Sequence, residues 1–102
     1  MITEFDKEQL ILIKKSIHDF ESTEQNLDSL LKVGRSLEQL FDSLKNIDKE
    51  WKDNFRIEWG ELEITAAIMM DKEISDLSKG SKDVIAEAIT NMKVMIESIL
   101  KL

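Results

Sequence analysis

No proline interrupts this chain, and only three glycines do. Strands need turn residues every few positions and favour Val, Thr and Tyr, and tyrosine is absent altogether. A chain with so few breakers, built largely from Leu, Ile, Lys, Glu and Met, is predicted to fold as helices. With 42% hydrophobic residues over 102 positions it can bury a core, and its length is that of one domain, residues 1–102. No cysteine is present, so neither a disulfide nor a thiolate metal site is available.

Four segments carry helical periodicity. Thr3 is placed to cap the first, in which Leu10, Ile13, Ile17 and Phe20 recur at three- and four-residue steps. Ile11 and Leu12 lie off that stripe. Ser22 with Gln25 reads as a capping box opening the second helix. Its seam is Leu27, Leu30, Gly34, Leu37, Phe41 and Leu44, continuing to Asp48 and Trp51. Gly34 within it allows a neighbouring helix to approach closely, at a cost of about 1 kcal/mol to the helix itself. Asn46 and Asp48 mark the next boundary.

From there the pattern continues to about Leu77. Trp51, Phe55, Trp59, Leu62, Ala66, Met69 and Met70 share one face, and Ile57, Ile64 and Ile68 form a second stripe roughly opposite. A helix apolar on two sides is sandwiched, either within its own bundle or between its core and a second chain. Gly80 and Ser81 read as the C-terminal cap and the following N-cap. A last helix buries Ile85, Ala88, Ile89, Met92, Ile96 and Ile99. The expected architecture is all-α: a single up-and-down four-helix bundle with a long third helix.

The net charge of −7 is unevenly distributed. Two windows hold four acids and no Lys or Arg: Asp19, Glu21, Glu24 and Asp28, then Glu58, Glu61, Glu63 and Asp71. Nucleic-acid binding needs a basic stripe, and there is none. An acidic surface attracts basic partners, although ordinary solubility charge has the same composition. The N-terminus, MITEFDKEQLILIKK, is acidic where a secretory signal would be basic, and no apolar run has the length of a membrane span. A cytoplasmic protein is expected.

Chemistry has little to build on. Any Ser–His arrangement must use the single His18, which reads as a solvent-facing or capping residue. Zinc and di-iron bundles need several histidines. Gly34-Arg35-Ser36 and Gly80-Ser81-Lys82 lack the repeated glycines of a phosphate loop. No catalytic, cofactor-binding or metal-binding residue is nominated, and no cofactor is expected.

Glu58-x-x-Glu61 followed by Glu73-x-x-Asp76, with the phrase EWGELEITAA, resembles the acidic signature of all-α nucleotide pyrophosphohydrolases of the MazG type. That likeness implies magnesium held by carboxylates on two antiparallel helices. On one straight helix the two pairs would instead lie about 18 Å apart, too far to share an ion. The whole chain also resembles the small all-α immunity proteins with which bacteria neutralise the toxins of contact-dependent competition. Size, acidity, the missing cysteines and the FRIEWGELE to AIMMD segment before a capped terminal helix carry that likeness. It implies an antitoxin that binds a basic protein, such as a nuclease toxin, stoichiometrically. The two acidic windows are then the candidate partner-binding residues, with Trp51, Phe55, Trp59 and Leu62 as an aromatic edge framed by Glu58 and Glu61. A homo-oligomeric scaffold, such as a homodimer, assembling through the two-faced third helix or the heptad seam of the second, is the alternative from another class.

Overall fold

The computed structural model describes residues 2–100, as four helices in chain order: α1 (Glu4–Ser22), α2 (Leu27–Asp42), α3 (Lys49–Asp71) and α4 (Lys79–Leu100). Each packs on the next and α1 closes on α4, an up-and-down ring 44 Å long and 24 × 20 Å across. The third is the longest, at 23 residues. One apolar stripe from each helix fills the interior, with Leu10, Ile13 and Ile17 of α1 and Ile85, Met92 and Ile96 of α4 among its most buried members. Phe41 stacks on Phe55 and tilts against Trp59, so the rings of α2 and α3 form its aromatic section. Burying each such large side chain stabilises the fold by about 2–3 kcal/mol. No described helix is long and apolar enough to cross a membrane.

The N-terminus of α1 is capped as the sequence predicts: Thr3 Oγ1 accepts the Asp6 N–H at 3.1 Å. Other boundaries fall elsewhere. α1 runs through Ser22, and α2 is capped by Asn26 in a complete capping box: Asn26 Oδ1 accepts the Ser29 N–H, and the Asn26 N–H donates to Ser29 Oγ. Asn and Ser cap about equally well, but the Ser22 hydroxyl donates to the His18 carbonyl within α1, and Ser29 completes the box at Asn26. Gly34 makes no close approach; a Cβ there would meet nothing within 4 Å. Gly80 lies inside α4 without positive φ, and Ser78 Oγ accepts from the Ser81 N–H instead.

α3 stops at Asp71, short of Leu77. It ends in a Schellman motif: the Ile74 N–H donates to the Met69 carbonyl at 2.8 Å and the Glu73 N–H to that of Met70 at 3.2 Å. The left-handed residue this motif needs is Glu73, at φ 55°. Glycine normally fills that place because a Cβ there crowds the following carbonyl. Residues 72–78 then cross to α4. On the way, Asn26 and Asp76 form an antiparallel β-bridge, with the Leu27 N–H donating to the Ser75 carbonyl at 2.9 Å.

At the opposite end, a buried carboxylate holds the α2–α3 connection. Asp6 is fully enclosed, and its two oxygens accept the Lys45 and Asn46 N–H groups at 2.9 and 2.8 Å. Burial pushes its carboxyl up, but these hydrogen bonds, with those of the Thr3 cap and the charge of Lys52, prevail and hold it below the ordinary aspartate range. Because folding lowers this pKa, the stabilisation is complete above the unfolded value of about 3.9 and fades as pH falls through the lower folded value.

Two outcomes are expected in urea denaturation. Asp6→Ala, which strands two amide donors, lowers stability by about 2–4 kcal/mol near neutral pH, and its deficit narrows in acid. Glu73→Gly relieves the left-handed residue and raises stability by about 0.5–1 kcal/mol.

Candidate functional site

The aromatic edge predicted on α3 belongs to the interior. Phe55, Trp59 and Leu62 are 0, 1 and 2% exposed, while Trp51 is half-buried, stacks on Phe55 at 4.9 Å and donates its indole N–H to the Met95 carbonyl of α4. The indole N–H of Trp59 is buried and has no acceptor among the described residues, and the Arg56 guanidinium lies over its ring at 4.9 Å. Phe55 and Trp59 cannot receive a partner without unfolding the bundle. The signal that separates them from the isoleucines is size: large flat rings bury more area and take the core side.

Ile57, Ile64 and Ile68 are what α3 leaves outside, at 65, 57 and 50% exposed. At 3.6 residues per turn, Gly60 and Ala67 fall beside them, and the five residues span an arc of about 100°. That is the width of stripe a surface helix normally buries. Within it, from Ile57 to Ile68, no residue is charged. This strip is the candidate contact surface of the fold.

The candidate acids scatter around this strip. Glu58 and Glu61 flank it on the α4 side, where Glu58 accepts from the Asn91 side-chain amide at 2.9 Å. Asp71 closes its C-terminal end and is exposed. Glu63 points about 160° away from Glu61 and lines a groove between α2 and α3 with Arg35 and Glu38. In the second window, Glu21 is engaged with Lys93 of α4 at 3.0 Å. Asp19 lines clefts between α1 and α2. Glu24 and Asp28 are exposed at the loop that pairs with residues 75 and 76, the end of the bundle where Asp71 lies. A linear cluster of carboxylates is thus dispersed by the helix: Glu61 lies beside the isoleucines, Asp71 at their C-terminal end, and Arg56 borders their other side.

The carboxylates of Glu58-x-x-Glu61 and Glu73-x-x-Asp76 are not brought together. α3 is unbroken between Glu61 and Asp71, and Glu73 and Asp76 lie in the non-helical crossing beyond it. Among the described residues no group of three or more His, Asp or Glu side chains is arranged to hold a metal ion. His18 is exposed, and its carbonyl accepts the Ser22 hydroxyl. Comparison of the chain with protein-family models, curated proteins and solved structures finds no match in any of the three. The surface chemistry of α3 therefore carries the functional argument.

Substitutions on the two sides of α3 separate core from surface. Ile64→Gln and Ile68→Gln are expected to change unfolding free energy by less than about 0.5 kcal/mol each, whereas Leu62→Ala costs about 2–5 kcal/mol. Equal losses on both sides, read in urea, would contradict the exposure of the isoleucines.

Proposed function

We propose that this chain acts by stoichiometric binding of a basic protein, through the outer face of α3. The observation that carries the reading is the pairing of an exposed isoleucine strip with a segment, Ile57 to Asp71, that holds four acids and no base. Apolar contact supplies affinity at such a surface, while the surrounding carboxylates speed encounter and select the sign of the partner.

The resemblance to bacterial immunity proteins gives this chemistry a setting. A nuclease toxin must be cationic to hold nucleic acid, so an acidic bundle can occupy its substrate face and reach it quickly. Toxin neutralisation without turnover is the function that fits best. Self-assembly as a scaffold uses the same isoleucines. It fits less well, because each copy carries the same net charge of −7 and like charge opposes their approach.

The decisive experiment is co-expression with the product of the adjacent gene, read by growth and by size-exclusion chromatography with light scattering. A 1:1 complex and relief of growth arrest are expected, with affinity reduced at least tenfold by Glu61→Lys combined with Asp71→Lys and reduced further by added salt. A protein that neither binds nor protects overturns the immunity assignment. A complex indifferent to salt and to both substitutions overturns the surface.

A further inference from the structure

The outer face of α3 has the register of a coiled-coil seam. Ile57, Gly60, Ile64, Ala67 and Asp71 follow one another at steps of three, four, three and four, the a and d positions of a heptad, with Ile68 widening the strip beside Ala67. The seam runs about 21 Å, four turns of helix. Its large residues alternate with small ones. Glycine inside a helix costs stability relative to alanine, yet nothing within the bundle uses the space above Gly60: a Cβ there would meet no atom within 4 Å. Ala67 is exposed and Gly60 half-buried. An aliphatic ridge broken by two shallow positions leaves room over Gly60 and Ala67 for large side chains arriving from another helix.

Charge decides between the possible occupants. Glu61 borders the seam and Asp71 ends it, with Arg56 and Lys72 just outside its two ends and no base between them. A second copy brings a second net charge of −7 to the contact, whereas a helix with Lys or Arg beside its apolar stripe meets the acidic chain with opposite charge. We infer that the partner presents a basic amphipathic helix, laid along α3 from Ile57 to Asp71 at the shallow crossing angle of heptad packing, with large aliphatic side chains over Gly60 and Ala67. This rests on the binding role proposed above and adds the shape of what is bound.

The probe is a synthetic peptide of about 21 residues, with leucine at a and d and lysine or arginine beside them. Its controls are a scrambled peptide of the same composition and an amphipathic peptide with glutamate in place of the bases. Binding is read from the isoleucine methyl signals of the whole protein by NMR. Saturation is expected with the first peptide, with shifts confined to Ile57, Ile64 and Ile68, and at least tenfold weaker binding of both controls. Gly60→Gln fills the seam without clashing inside the fold, so the variant stays folded and loses at least tenfold in affinity for the first peptide.

Equal binding of the designed and scrambled peptides overturns the helix inference and leaves the preference for a basic partner standing. Concentration-dependent shifts of the three isoleucines without peptide, with a dimer in light scattering, mean that a second copy covers the face and overturn both readings. A monomer that binds no peptide overturns the helical occupant alone, and co-expression with the neighbouring gene product still decides the wider proposal.

Discussion

Phe55, Trp59, Leu62, Ala66 and Met69 give α3 its place in the bundle, and a helix in a ring of four has no second inward side to offer. The interior can take only one of the two apolar arcs that α3 carries. The aromatic arc prevails because Phe41 across the interface gives Phe55 and Trp59 rings to pack on, and because their burial removes more apolar area from water. Ile57, Ile64 and Ile68 are outside as a consequence. The feature that defines the outer surface is thus set by competition for the inner one.

The two ends of the bundle are fixed by different means. Asp6 is a buried anion whose cost of desolvation is met by two directed amide donors, and it converts the turn after α2 into a fixed approach to α3. At the other end the α1–α2 loop and the residues following α3 share a β-bridge. Between these ends the α1–α4 seam, the one side of the ring with no connecting loop, carries Lys14–Glu97 and Lys93–Glu21. Such half-exposed pairs contribute little stability and are screened by salt, so the apolar stripes beneath them carry the seam.

Much of this arrangement was legible in the residues. The stripes Leu10/Ile13/Ile17/Phe20 and Ile85/Ala88/Ile89/Met92/Ile96 are buried as their spacing predicts, and Thr3 caps α1. The end of α3 was not legible, because Ile74 and Leu77 keep the helical rhythm and the left-handed residue is a glutamate, with no glycine to mark the stop. Asp6 was hidden for a different reason. An acid in a first turn is normally explained by the helix dipole, and its partners lie about forty residues away. For the surface, the isoleucine stripe was visible as a stripe, but periodicity alone does not say which of two arcs faces inward. The acids were visible only as neighbours in the chain, and a rotation of about 100° per residue separates them in space.

The pairing of Asn26 with Asp76 bears on how quickly and how faithfully a visitor could be held. It fastens the crossing that follows Asp71 to the start of α2, so the C-terminal end of the isoleucine ridge abuts chain already fixed in the free molecule. Association would then order few loop residues on this side, and little chain entropy would be lost at the moment of contact. A surface set in advance in this way discriminates by fit, since it has little freedom to mould itself around the wrong shape.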